Sequence, residues 1–202
     1  MSDLIPIFVF FFAVIDPIGT VPVFIAVTRG YEEADKRKIA IKAVFVSAMI
    51  LLFFVIAGEP ILNAMGIELS AFRVAGGIVL FLFALTMIFG DSKPEEEMKM
   101  VRKASETAIY PLAVPSIAGP GSMLAAVLMT ENARFDIPEQ AVTTAVMFAV
   151  LSVTLVLLLG ATFVHRLIGD SGASIISRVM GLILASVAVS AVLGGIKAYF
   201  EL

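Results

Sequence analysis

Two short segments interrupt long apolar stretches near their middles, and in lipid few chains tolerate this. The first is Asp16-Pro17-Ile18-Gly19-Thr20, inside a stretch from Leu4 to about Thr28. The second is Ser116-Ile117-Ala118-Gly119-Pro120-Gly121-Ser122, inside a stretch from Ala108 to about Thr130. Proline removes a backbone donor and glycine weakens a helix. An unpaired backbone group in hydrocarbon costs several kcal/mol, so such breaks persist only inside protein or beside a watery cavity. Paired breaks in the two halves of a membrane chain point to a transporter binding site.

The rest of the chain supports a membrane setting. Hydrophobic residues make up 60% of its 202 positions, and the mean hydropathy is +1.04. A soluble domain is nearer about half apolar. The chain has no cysteine, which excludes disulfides, thiolate metal sites and thiol redox chemistry. A formal charge of −3 without a basic stripe gives no reason to invoke nucleic acid. Asp3 precedes the first apolar run and no Lys or Arg does, so this run is expected to remain as the first helix rather than act as a signal peptide.

Six spans are expected, each near the ~20 residues that cross a bilayer: Leu4–Thr28, Ile39–Gly58, Phe72–Phe89, Ala108–Thr130, Ala141–Val164 and Ile175–Gly195. The connection Gly90–Thr107 is the longest and most charged, and its Glu95-Glu96-Glu97 run reads as a solvated loop or surface helix. Arg29, Lys36, Arg37, Lys38 and Lys42 follow span one; Lys93, Lys99, Arg102 and Lys103 follow span three; Arg166 and Arg178 lie near the loop after span five. The other side holds Arg73, Arg134 and Lys197. Basic residues prefer the cytoplasm, so the chain is expected to be multi-pass in the cell (inner or plasma) membrane with both termini outside.

The halves resemble one another at an offset of about 102–105 positions. Ile15, Gly19 and Thr20 meet Ile117, Gly121 and Ser122; Ser47 meets Ser152; Gly66 meets Gly169; Gly90 meets Gly195. Arg73-Val74 with Gly76 meets Arg178-Val179 with Gly181. The ordered set indicates an internal repeat. Three spans per half make the repeat inverted. The expected fold is an all-α integral membrane domain over residues 1–202. Repeat one covers about 1–90, a charged loop about 91–107 and repeat two about 108–202, with the first and fourth helices discontinuous.

Under that symmetry the second half-helices point their N-termini at the midplane from opposite sides. Thr20 and Ser122 are N-cap residue types, and Pro22 is expected in the first turn of its half-helix. Two helix N-termini, each with free N–H groups and partial positive charge, suit an anionic group such as a carboxylate. Asp16 is the acidic residue deep in a span, and an ionisable group there reads first as functional. It could pair with a substrate ammonium, exchange a proton, or cap the break. The candidate binding set is Asp16, Pro17, Gly19, Thr20, Ser116, Gly119, Pro120, Gly121 and Ser122, with Asp16 the proton-coupling candidate. Ser47 and Ser152 lie mid-span and either could face the cavity, although a lone serine more often bonds its own backbone or a neighbouring helix. Pro111 and Pro115 read as kinks. Ser186, Ser190 and Gly194 form a small-residue stripe on the last span, read as packing. A catalytic triad and a histidine metal cluster are unsupported with His165 the single histidine, so no enzyme activity, metal or other cofactor is expected.

At Asp16-Pro17-Ile18-Gly19-Thr20-Val21-Pro22-Val23-Phe24 and Pro115-Ser116-Ile117-Ala118-Gly119-Pro120-Gly121-Ser122, the chain resembles the MarC family of integral membrane proteins. The resemblance covers essentially the whole length. The family includes SnatA-like transporters of small neutral amino acids such as glycine and alanine, described as proton-coupled. The resemblance thus implies proton symport of a small neutral amino acid by alternating access at the two broken helices. Export of another small metabolite or drug, and an ion channel, are the competing readings. The small-residue stripes serve internal packing and an oligomer alike, so oligomeric state stays open.

Overall fold

The computed structural model describes residues 4–89, 108–132 and 134–201. The Gly90–Thr107 connection, with its lysines, Arg102 and the Gly90 landmark, lies outside them. Every described element is helical: α1 (Leu4–Ile15), α2 (Pro17–Val27), α3 (Glu33–Ala64), α4 (Leu69–Phe89), α5 (Ala108–Ile117), α6 (Pro120–Leu128), α7 (Ile137–Leu159) and α8 (Ala161–Tyr199). Five segments are long and apolar enough to cross a membrane: Leu4–Val27, Glu33–Ala64, Leu69–Phe89, Ile137–Leu159 and Ser171–Tyr199. The pair α5 and α6, bent by 54°, makes a sixth when taken as one span. The chain is a multi-pass integral membrane protein with spans close to those expected.

Local chemistry sets the element ends. α7 opens on a capping box, in which the Asp136 carboxylate accepts from Glu139 N at 2.9 Å and the Glu139 carboxylate accepts from Asp136 N at 3.2 Å. Gly66 and Gly169, partners under the repeat offset, both sit at φ +66°, a left-handed conformation that glycine adopts without a Cβ penalty. At Gly169 this conformation breaks α8 ahead of its membrane-crossing part. α5 is not a regular α-helix. Tyr110 and Val114 are extended, each preceding a proline in a cis peptide bond, and Ala118 N donates to Ala113 O at 2.8 Å across a wide turn. A residue before proline is driven out of the helical region, which is why Pro111 and Pro115 do more here than kink a helix.

The first span lies at the centre. In its most apolar window 56% of residues are buried within the protein, against 22–33% for the other long spans. Phe45, Phe53, Ile56, Leu82, Val156 and Leu193 lie exposed on those outer helices, as lipid contact requires. α4 and α8 run antiparallel along each other. Arg178 Nη1 donates to Ile88 O at 3.0 Å near one end, and Arg73 packs on Gly194 near the other. Between them backbones approach closely: a Cβ on Gly181 would lie 2.9 Å from Met87 Cβ, and one on Gly77 would lie 3.0 Å from Ala188 O. The packing stripe of α8 is therefore Ser177, Gly181, Leu184, Ala188, Ala191 and Gly195, all buried. The expected stripe is corrected in part. Ser186 and Ser190 are exposed and bond only the carbonyls of Leu182 and Ser186 in their own helix.

Gly181→Val should overpack this seam and destabilise the protein by about 1–3 kcal/mol. Ser186→Val, on the exposed face, should stay within about 0.5 kcal/mol of wild type. Thermal unfolding in detergent compares the two, and equal shifts would contradict the assigned seam.

Candidate functional site at the two interrupted spans

Asp16 occupies the single-residue break between α1 and α2. Its backbone is left-handed (φ 49°, ψ 65°), a conformation that aspartate tolerates better than most residues. This turn ends one helix and starts the next, with Pro17 at the first helical position, where its missing N–H is harmless. Asp16 is the N-cap: Oδ1 accepts from Gly19 N at 3.0 Å. Its other oxygen, Oδ2, accepts from Ser177 Oγ of α8 at 2.7 Å. The side chain is 1% exposed, so both oxygens are satisfied by protein donors.

The expectation that Thr20 and Ser122 cap the second half-helices is corrected. The caps are Asp16 and Gly119. Thr20 lies one turn into α2 and donates from Oγ1 to Asp16 O at 3.0 Å. Ser122 lies in the first turn of α6 and reaches back to Ile117 O at 2.9 Å and Gly119 O at 3.0 Å, supplying carbonyls that the irregular α5 leaves over. Pro22 lies inside α2 rather than in its first turn, because the helix is capped at Asp16, four residues before Thr20.

The two breaks do meet. Ser116 Oγ donates to Thr20 Oγ1 at 3.1 Å, which joins α5 to α2 across 96 positions of sequence. The relay Ser116 to Thr20 to the Asp16 carbonyl, with Ser177 on the Asp16 carboxylate, forms one buried polar junction; Asp16, Thr20, Ser116 and Ser177 are each at most 1% exposed. Gly19 sits against it: a Cβ there would lie 2.6 Å from Ser177 Oγ, so only glycine leaves that bond intact. Gly119 has the same constraint from Pro115 O, also at 2.6 Å.

Other candidates lie elsewhere. Gly121 faces α4, where a Cβ would stand 3.2 Å from a Leu80 methyl and 3.5 Å from the Phe83 ring. Pro120 is exposed and lines an apolar cavity of about 280 Å³ with Phe54, Phe72, Met123 and Val127. Ser47 is buried and donates to Ala43 O at 2.9 Å and Ala113 O at 3.3 Å, tying α3 to α5. Ser152 is exposed and bonds only Phe148 O of its own helix, so it does not face the junction. Ser177 was not anticipated. Its one sequence signal is register, as a lone hydroxyl in phase with the buried stripe at 181, 184, 188, 191 and 195.

The junction is closed in this conformation. Beside it, a cavity of about 10 Å³ is lined by Ile18, Pro22, His165 and Gly169 among others. That is room for one water at most. Chemically, the junction offers a carboxylate and a set of hydroxyls and N–H groups in a dry setting, where each polar contact counts more than in water.

Comparison with known proteins gives a consistent result along the whole chain. The family model described as MarC family integral membrane protein matches residues 1–200. A UPF0056 membrane protein of Methanocaldococcus jannaschii is 38% identical over 189 residues, covering 92% of each chain. The UPF0056 membrane protein YvbG of Bacillus subtilis is 34% identical over 204 residues, covering 98% of this chain and 96% of its own. One from Aquifex aeolicus is 33% identical over 189 residues, covering 92% and 88%. No solved structure matches this chain. With a match running almost end to end, the chain belongs to the MarC family of integral membrane proteins.

Proposed function

We propose that the protein is a secondary active transporter of small neutral amino acids of the glycine and alanine type, coupled to protons. It works by alternating access around the junction of the two interrupted spans. The observation that carries this reading is the buried meeting of Asp16, Gly19, Thr20, Ser116 and Ser177 at the centre of the membrane-spanning bundle. An intramembrane carboxylate is expensive, and its default role is functional.

A zwitterion matches the junction in charge. The Asp16 carboxylate suits an ammonium, while the Ser116 hydroxyl suits a carboxylate oxygen. With Gly19 and Gly119 packed this closely on Ser177 and Pro115, the junction admits little more than a small side chain once the Ser177 bond opens. Binding exchanges the Ser177 bond on Asp16 for a substrate bond, and proton uptake on Asp16 neutralises the same oxygen pair. Capping and function are thus compatible roles of one carboxylate.

The packing supplies a moving boundary. α4 and α8 hold each other along their lengths, whereas α3 meets α4 only sparsely. The α4–α8 pair touches the junction through Ser177. Rocking this pair against the α1–α2 span breaks and remakes the Ser177 bond. An inverted repeat makes the two end states equivalent in kind. The matching left-handed Gly66 and Gly169, and the arginines Arg73 and Arg178 at opposite ends of the α4–α8 seam, support that repeat. The basic residues around the α2–α3 connection support placing that end in the cytoplasm and both termini outside.

In proteoliposomes of purified protein, uptake of radiolabelled glycine and alanine should saturate, rise with an inward proton gradient and be competed by other small neutral amino acids. Saturable uptake indifferent to the gradient would remove proton coupling; conduction without saturation would favour a channel. Asp16→Asn should abolish gradient-driven uptake, and normal pH-dependent uptake in that variant would reduce Asp16 to a cap.

Loss of a hydrogen bond to a charged group costs about 1.5–3 kcal/mol. Ser177→Ala and Gly19→Ala weaken the bond that must re-form in the closed state of each cycle, so each should lower turnover by roughly tenfold or more while the protein still inserts. Ser152→Ala should transport as wild type. Equal activity in Ser177→Ala and Ser152→Ala would dissociate the junction from transport.

A further inference from the structure

At the end of the molecule away from the α2–α3 connection, the short link between α6 and α7 covers a polar cluster. Glu131 opens this link. It is 8% exposed, and its Oε2 has no hydrogen-bond partner among the described residues. A carboxyl oxygen buried without a donor is costly when ionised and tolerable when protonated. The charged groups around it come from three places: Glu59 on α3, Arg73 on α4 and Arg134 in the link itself. None of these is within ion-pair distance of Glu131 (4.0 Å or less).

The link is held at points just after this carboxyl. Glu59 Oε2 accepts from Asn132 N at 2.7 Å, which fastens it to α3. Gln140 Nε2 donates to Asn132 Oδ1 at 2.8 Å and to Phe135 O at 3.0 Å, which fastens it to α7. Glu131 itself takes Arg134 N and Phe135 N on its backbone carbonyl, at 3.1 and 3.0 Å, so the turn folds its side chain inward. The link continues directly from α6, the half-helix that follows Ser116 and the second break.

We propose that Glu131 is a proton-binding site that latches the α6–α7 link shut, separate from Asp16 and placed at the end of the protein away from the α2–α3 connection. Protonated, the carboxyl stays buried and the link stays clamped on α3. Ionised, it moves out to water, and the link lifts with the end of α6. The direction follows from linkage. Burial pushes the Glu131 carboxyl above the usual carboxylate range, Arg134 and then Arg73 pull it back, and Glu59 adds to the rise. A carboxyl raised in the closed form and ordinary in the open form binds its proton more tightly when closed. Closure is therefore most stable at low pH. It weakens as pH passes the ordinary value and is weakest above the raised one. On the outer face, proton arrival would close this end over a loaded site, which is the order a symporter needs. That last consequence rests on the transport reading; the latch itself does not.

The absence of cysteine allows a direct test. Spin labels go on Met65→Cys and Ile137→Cys, at 67% and 81% exposed positions that end α3 and begin α7. Pulsed electron–electron distances are read in lipid nanodiscs, without substrate, from about pH 4 to about pH 8. A single distance at low pH should give way to a longer second population as pH rises. Adding Glu131→Gln should hold the short distance throughout, and Glu131→Asp, which keeps a titrating group, should retain the switch. A distribution that does not change with pH overturns the latch, as does a switch that survives Glu131→Gln or disappears instead in Glu59→Gln. Those failures leave the transport reading untouched, because no substrate is involved.

Discussion

A carboxylate buried at a helix break must have its oxygens satisfied, and the rest of this structure follows from how that is done. Asp16 turns the chain through one left-handed residue in the middle of the most enclosed span. One oxygen is met locally by Gly19 N; the other reaches Ser177 on the far side of the sequence. The second bond sets where α8 lies against α2. It also explains why position 19 carries no side chain, since a Cβ would fall onto the same Ser177 oxygen. The backbone carbonyl of Asp16 is used as well, by Thr20, which carries the network on to Ser116 and the second interrupted span. One residue thereby links the two breaks and both halves of the chain.

What was legible in the sequence was whatever lipid makes expensive. Charge, proline and glycine inside apolar runs located the spans, the two breaks and Asp16, because each such residue needs a compensating structure. Gly66 and Gly169 stood out as glycines near helix ends, and both adopt φ +66°. Side-chain direction was much less legible. On a water-soluble helix an apolar stripe marks the buried face, but a membrane helix is apolar all round, so no such contrast exists. Hence Ser186 and Ser190 looked like packing residues and face outward, Gly121 faces α4 rather than Asp16, and Ser177 passed unnoticed beside the conspicuous Arg178. The caps at Thr20 and Ser122 were misplaced for a related reason. Several residues at each break can cap, and only backbone geometry decides which one does.

The molecule divides into a paired scaffold and a set of interrupted elements. α4 and α8 have close backbone approach, guanidinium contacts at both ends and a continuous buried stripe. The interrupted spans have hydroxyls on spare carbonyls, with Ser122 and Ser47 both serving the irregular α5 region. Such hydroxyl bonds cost little to exchange compared with a packed seam, so motion is expected at the breaks and rigidity along α4 and α8. The closed polar junction and the clamped α6–α7 link belong to one closed conformation.

The most direct measurement is a structure of the protein in lipid nanodiscs at saturating alanine. The account predicts ordered density in contact with the Asp16 carboxylate and the Thr20 and Ser116 hydroxyls, with the Ser177 bond to Asp16 released. Alanine bound elsewhere, with the Asp16–Ser177 junction still closed, would contradict it.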